Sequence, residues 1–362
     1  MTVEQLWQPV PGGSGTYIRE LLHALPTSAR DVKVVGIAAR HGRPAEPALN
    51  IPIRSSALPR SILYEAWGRL RRPRVPASDL DVLHATTWAV PPRSRPLVVT
   101  VHDLAFVRSP EHFTPRGVSF FRRALRSVVR EADLVLVPSQ ATADDCDRHG
   151  IDAERLRIVP HGVRVQAVTA EAVERFTTRH ALSGPYILWC GTLEPRKNLG
   201  TLISAFEVVA AANRDVRLAL AGPVGWGNSD TDLARRLSSS VGERVVRLGR
   251  LADDELAAAY AGARAFCFPS LWEGFGMPVL EAMAHGVPVV TSAGTSMEEI
   301  SPQGAILVDP LSADEVAAGL LAAVGPRHDE LSAGARANAA RFTWERSAQL
   351  HVEAYRAALT RA

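Results

Sequence analysis

Short apolar runs alternate with helix-patterned stretches along nearly the whole chain. The runs Val3–Gln8, Val32–Ala38, Val82–His84, Leu97–His102, Leu134–Pro138 and Leu156–Pro160 read as strands. A second series follows: Tyr186–Gly191, Val216–Ala221, Val245–Gly249, Ala265–Pro269, Val287–Thr291 and Ala305–Val308. Helical spacing marks Tyr17–Leu25, Val118–Glu131, Leu199–Ala212, Asp253–Ala261, Ala313–Ala323 and Trp344–Leu359. Strands that are apolar on both faces and alternate with helices predict parallel sheets covered on both sides. Two such series predict an α/β protein of two doubly wound, Rossmann-like domains facing a central cleft. Pro160-His161-Gly162 closes the first series and Ser183-Gly184-Pro185 opens the second. The expected division is therefore 1–165 and 166–343, with a last helix, 344–362, returning to the first domain.

A length of 362 residues is too much for one ordinary core, which agrees with two domains. With 46% hydrophobic and 22% charged residues the chain is neither disordered nor fibrous. No run of 18 apolar residues occurs, so no membrane span is expected. Met1 leads straight into a run containing Glu4 and Gln5, so no signal peptide is expected either. Cys146, Cys190 and Cys267 are too few for a disulfide framework and read as free thiols in a reducing, cytoplasmic setting.

Lys33 and Lys197 are the only lysines; arginine supplies the rest of the positive charge. That excess reads as the codon usage of a GC-rich genome, and no nucleic-acid partner is expected. Residues 1–165 carry 23 Lys+Arg against 16 Asp+Glu, and the remainder 18 against 22. The basic half includes Arg54, Arg60, Arg69, Arg71, Arg72 and Arg74 interleaved with Ile62, Leu63, Tyr64, Trp67 and Leu70. This mixture fits either peripheral contact with an anionic membrane, on the inner face of the plasma membrane, or a half-buried amphipathic helix.

In doubly wound folds ligands meet the loops after the strands. Gly12-Gly13-Ser14-Gly15 follows the first predicted strand and opens a helix, a place where open amides favour phosphate, although a tight turn needs no ligand. Its spacing is not G-x-G-x-x-G, and no acidic residue ends the second strand, so no nicotinamide cofactor is expected. His102-Asp103 closes another strand; the lone histidine reads equally as structural. Gly191 opens the turn Gly191-Thr192-Leu193-Glu194-Pro195-Arg196-Lys197-Asn198. Two cations at a helix N-terminus oppose the dipole unless an anion joins them, and a diphosphate would do so. Asn198 is placed to cap that helix. In the loop after Ala265–Pro269, Glu273 precedes Glu281 by eight positions, with Gly274, Phe275, Gly276 and Met277 between them. Carboxylates that accept and amides that donate suit a polyhydroxylated ligand; the bland alternative is that Glu281 balances the helix dipole. Thr295 and Glu298 resemble a capping box.

Taken together, Gly12-Gly13-Ser14-Gly15, His102-Asp103, the Gly191–Leu199 turn and Glu273 with seven residues before Glu281 resemble the retaining nucleotide-sugar glycosyltransferases of the GT-B type, the group 1 family that contains many bacterial α-mannosyltransferases. The resemblance implies that 1–165 is the acceptor domain and 166–343 the nucleotide-sugar donor domain. It implies that Glu281 holds the ribose and that Glu273, with the amides of Phe275, Gly276 and Met277, binds the donor sugar. Arg196 and Lys197 would hold the diphosphate, and His102 would face the sugar near C6. Gly13, Ser14 and Gly15 would bring amides near phosphate or acceptor, and Arg250 and Leu251 would pack near the base. His161-Gly162-Val163-Arg164 departs from the Asn-Gly-Val-Asp turn of many relatives, which leaves the hinge contacts open.

The activity so implied is metal-independent hexosyl transfer with retention, from GDP-mannose to a glycan or lipid-linked acceptor. No cofactor is expected besides the nucleotide diphosphate sugar, which is substrate. A UDP-sugar donor, an epimerase or phosphorylase on the same fold, and a non-catalytic nucleotide-sugar-binding protein are the alternatives.

Overall fold

The computed structural model describes residues 1–9, 11–42, 49–225 and 241–361, which divide into two units. One comprises Met1–Gly162 with Thr343–Ala362, the other Val163–Phe342. The division lies three residues before the expected 165/166, and the last helix belongs to the first unit.

In the first unit, β1 (Gly36–Ala38) pairs in parallel with β2 (Ile53–Ser55), and β3 (Leu83–Ala85), β4 (Leu97–Thr100), β5 (Leu134–Val137) and β6 (Leu156–Ile158) form a parallel four-stranded sheet in that order. Val3–Gln8 is not a strand. Thr2 N–H donates to His84 O and Val3 N–H to Ile37 O, so residues 1–3 link β1 to β3, and a 3-10 turn, Glu4–Trp7, follows at once. The chain turns because the Glu4 carboxylate goes inward to accept from Ala39 N–H (2.8 Å) and His41 Nε2 (2.9 Å). Strand β2 escaped the sequence reading because Ile53–Ser55 is a short, polar edge segment.

The helix Trp344–Arg361 packs on the helix Gly12–Ser28 and on β4. Ser347, His351 and Tyr355 recur every four residues on it and so share one face. His351 Nδ1–H donates to Ser347 O (2.7 Å), which fixes its tautomer and makes Nε2 the acceptor from the Tyr17 hydroxyl (2.7 Å). Tyr17 then accepts from Thr100 Oγ1 (2.9 Å), Thr100 from His84 Nε2–H (2.8 Å), and His84 Nδ1 from the Tyr355 hydroxyl (2.8 Å). The relay runs in one direction, out from the helix and back to it. Burial holds His84, His161 and His351 below the ordinary imidazole range, His351 at about 4, so the rings are neutral. Gly162 lies at the crossing: a Cβ there would sit 2.2 Å from Trp344 N.

The basic segment forms the helix Arg60–Leu70, with Leu63 and Trp67 buried and Ile62 and Leu70 exposed. Arg71, expected as a surface cation, is a clamp instead. Its guanidinium donates to Trp67 O, Val90 O and Pro91 O and pairs with Glu131 at 2.6 Å.

The second unit holds β7 (Tyr186–Cys190), β8 (Arg217–Ala221), β9 (Val245–Gly249), β10 (Ala265–Phe268), β11 (Val289–Ser292) and β12 (Ala305–Val308), all parallel, in the order β12-β11-β10-β7-β8-β9. This is the doubly wound order 3-2-1-4-5-6, whose direction of winding reverses between β7 and β10. Trp189, Phe206, Phe266 and Phe268 fill the core at under 2% exposure. The helix His328–Ala339 had no sequence signal, since its packing relies on small and polar residues: Gly334 approaches Gly304 too closely for a side chain, and the Asn338 amide donates to Ile300 O.

Candidate functional site

The two most informative loops leave the sheet side by side, because they follow β7 and β10, the neighbouring strands at the reversal point. Such a point opens a crevice beyond the strand ends. The β7 loop is locked first to the loop after β8. Leu193 N–H donates to Pro223 O (3.0 Å), and Gly222, at φ +139°, comes so close to Gly191 O that a Cβ would lie 1.8 Å from it. Pro195 then starts a 3-10 turn, Pro195–Lys197, and Asn198 follows in the left-handed region at φ 55°. Asn198 holds the N-cap position of Leu199–Ala212, but its side chain makes no cap hydrogen bond. Its amide donates instead to Pro269 O (3.2 Å) and Pro310 O (2.6 Å), tying the β7 loop to the ends of β10 and β12. Leu271 N–H donates to Arg196 O (2.9 Å), which fixes the register of the two loops.

This stitching brings Arg196, Lys197 and Glu273 together. Lys197 Nζ lies 2.5 Å from Glu273 Oε1 and 4.7 Å above the Phe268 ring. Arg196 reaches Glu273 Oε2 and Glu194 Oε1, each at 2.7 Å, and donates to Trp272 O (2.8 Å). Glu194, Lys197 and Glu273 are all buried. Burial by itself pushes the Glu273 carboxyl up, yet the two cations more than reverse it and hold it at about 2. Burial pulls Lys197 down, with Glu273 opposing. The sequence argument that two adjacent cations require an outside anion is therefore corrected: Glu194 and Glu273 supply the countercharge within the chain.

Glu273 is held from behind, where Ser296 Oγ donates to its carbonyl (2.8 Å) and to that of Phe275 (3.2 Å). Gly276, at φ +101°, has the Met297 side chain 2.8 Å from where a Cβ would stand, so the loop turns tightly into the helix Met277–Ala284. Glu281 lies beyond that helix's first turn, which removes the dipole-cap reading. Its Oε2 accepts from the Tyr260 hydroxyl (2.9 Å), and burial raises its pKa. Cys190, at the end of β7, feels both Glu281 and Lys197, so the second glutamate neighbours the cluster across one strand end. Thr295 does cap Ser296–Ile300 by accepting from Met297 N–H, while Glu298 reaches back to Gly294 N–H rather than to Thr295.

The remaining residues of the sequence reading lie on other elements. Arg250 is exposed just past β9, and Leu251 is half-buried against the core. Gly13, Ser14 and Gly15 belong to the first turn of Gly12–Ser28; a Cβ on Gly15 would meet Pro11 at 2.2 Å, so turn geometry alone accounts for that glycine. His102, in the same unit, donates from Nε2 to Thr86 O (3.0 Å), and the Tyr17 ring meets it edge-on at 4.9 Å. Burial lowers its pKa. Glu194, Tyr260 and Cys190 had no role in the sequence reading. Glu194 adjoins the cationic pair and was findable on charge grounds; Tyr260 and Cys190 sit in apolar stretches and carry no signal.

Residues 184–325 match the family model described as glycosyl transferases group 1, and residues 11–167 that of glycosyltransferase family 4. The chain is 30% identical to the O-antigen chain mannosyltransferase B of Escherichia coli, over 82% of this chain and 80% of that protein. It is 28% identical to the D-inositol 3-phosphate glycosyltransferase of Xylanimonas cellulosilytica, over 97% and 93%. Among solved structures, Anabaena HepE in complex with UDP-glucose superposes with a TM-score of 0.75 at 21% identity, covering 97% of both chains.

Proposed function

The chain belongs to the group 1 glycosyltransferases, GT-B enzymes built on two Rossmann-like domains, and from that premise we propose that it transfers mannose from GDP-mannose, with retention of anomeric configuration, to a glycan or lipid-linked acceptor. The observation that carries the proposal is the Arg196–Glu273–Lys197 cluster at the reversal point of the donor-domain sheet. In this reading the diphosphate takes the place of Glu273 on the two cations, and the released carboxylate accepts from hydroxyls of the hexose. Glu281 accepts from the ribose. As the bond from C1 to the departing phosphate breaks, the acceptor oxygen bonds C1 from the same face, and its proton passes to that phosphate. Arg196 and Lys197 stabilise the charge that develops there, each contributing roughly 3–4 kcal/mol. Transfer by this route needs no metal. The resemblance extends the donor site to Gly13, Ser14, Gly15 and His102.

The mannosyl donor is supported by the O-antigen mannosyltransferase at 30% identity. A UDP-hexose is the second reading, favoured by the UDP-glucose bound to HepE. Thermal-shift screening of GDP-, UDP-, ADP- and dTDP-sugars, followed by mass detection of released nucleotide and NMR of the product anomer, tests the proposal. Stabilisation by GDP-mannose, an α-linked product and turnover undiminished by EDTA support it; an inverted product contradicts it. No helix among the described residues is long and apolar enough to cross a membrane. Peripheral membrane contact rests on the helices Arg60–Leu70 and Pro115–Glu131, which pack together and expose Arg60, Arg69, Arg116, Arg122, Arg126 and Arg130 beside Ile62 and Leu70.

A further inference from the structure

Tyr260 is buried at 2% exposure at the end of the helix Asp253–Ala261. Its ring is stacked on His285 (5.9 Å, 8°) and tilted on Phe266 (5.7 Å, 57°), so the hydroxyl has one available direction. A buried tyrosine hydroxyl needs a partner, and a backbone carbonyl would serve. Here the partner is a carboxylate, Glu281 Oε2, at 2.9 Å. The Cys190 thiol lies within hydrogen-bonding reach of the same hydroxyl. Among the described residues the other oxygen, Oε1, receives no hydrogen bond.

We propose that Tyr260 is a positioning residue for Glu281, holding Oε2 so that Oε1 is turned to accept from the vicinal diol of a nucleoside diphosphate. The inference rests on the reading of Glu281 as the ribose-binding group. The hydroxyl also favours the ionised carboxylate: burial raises the Glu281 pKa, the Tyr260 hydrogen bond lowers it, and Asp253 raises it again. The other titratable groups on this side are the Cys190 thiol, pushed up to about 12, Lys197 beyond it, and His285, whose pKa burial lowers. Donor affinity is then lost as pH falls through the Glu281 pKa, and removing the hydroxyl moves that loss to higher pH.

The test is calorimetric titration of the full chain with GDP and with 2′-deoxy-GDP across the acid range, for wild type, Tyr260→Phe and Glu281→Gln, together with kcat and KM. Tyr260→Phe should bind GDP roughly tenfold more weakly, the scale of one hydrogen bond to a charged group. It should discriminate less between ribose and deoxyribose, show its acid limb at higher pH, and keep kcat. If Glu281→Gln weakens GDP but Tyr260→Phe matches wild type in affinity, discrimination and acid limb, the positioning role is wrong and the ribose reading stands. If Glu281→Gln itself leaves affinity and discrimination unchanged, the ribose reading is what fails. Thermal unfolding reports whether Tyr260→Phe folds. If it does not, Tyr260→Leu, which keeps apolar bulk at the site and offers Glu281 no donor, should show the same loss of discrimination, and wild-type discrimination there overturns the proposal.

Discussion

Both units bury polar groups where their strands end, and they satisfy them in opposite ways. In the first, Tyr355, His84, Thr100, Tyr17, His351 and Ser347 pass one hydrogen bond after another between neutral partners, and the chain of bonds closes on the helix it started from. In the second, Arg196, Lys197, Glu194 and Glu273 meet as ions. Each link of that relay is a bond between neutral groups and it ends on the Ser347 carbonyl, with the Ser347 hydroxyl making no hydrogen bond among the described residues; it is a joint. The ionic cluster has capacity to spare, since among the described residues Lys197 spends one of its three N–H donors, on Glu273. A buried ion pair also stabilises little beyond what an apolar replacement would. In the proposed reading, the four charges at this strand-end crevice serve exchange with a charged ligand rather than stability.

The comparison breaks most visibly at Lys197. Lys197→Ala should lower turnover on the sugar nucleotide by about 10²–10³-fold, the scale of removing one transition-state donor, while far-UV circular dichroism stays that of the wild type. Near-normal turnover would put Lys197 with the structural residues.

Acid should act on the first unit in particular. His351 titrates at about 4 in the fold against 6.5 unfolded, so between those values the unfolded chain binds the extra proton. Stability is complete above pH 6.5 and falls as pH drops towards 4, by about 3 kcal/mol for this one group. Denaturant melts of residues reporting on each unit should show the first unit losing midpoint in that window; a flat profile would contradict neutral burial.

His351→Phe leaves the Tyr17 hydroxyl without its acceptor and should cost about 1–3 kcal/mol of stability, with kcat retained and the acid slope reduced. A large loss of kcat with unchanged stability would make the relay part of the chemistry. The smallest effect belongs to the surface: Arg72→Gln should weaken binding to anionic vesicles by about 1 kcal/mol, the scale of one cation. Arg71 is no test of this, because its loss would uncap three carbonyls and take from Glu131 its two-point guanidinium partner.

How much of this was legible depended on whether a residue's partner lies in its own segment. Val245–Gly249, Ala305–Val308, Leu199–Ala212 and Asp253–Ala261 were read to the residue, because apolar periodicity is a local property. That Arg196, Lys197 and Glu273 belong to one site was an expectation from the motifs; that Glu273 pairs with both cations was not, because it depends on the strand order that puts β7 beside β10. What could not be read is long-range satisfaction of polar groups. Glu4 turned inward to Ala39, Asn198 clamped carbonyls instead of capping, and Arg71 plugged a carbonyl cluster; each choice depends on atoms at least 19 residues away in at least one contact. Tyr260 sits in an alanine-rich helix, and nothing local marks its hydroxyl as facing a carboxylate.

The central claim is that Arg196 and Lys197 are held by Glu273 until a sugar diphosphate replaces it. A crystal structure of the protein with bound GDP tests this most directly. The account predicts the β-phosphate within hydrogen-bonding distance of both cations, with Glu273 turned from them; a nucleotide bound elsewhere, or beside an undisturbed Lys197–Glu273 pair, would contradict it.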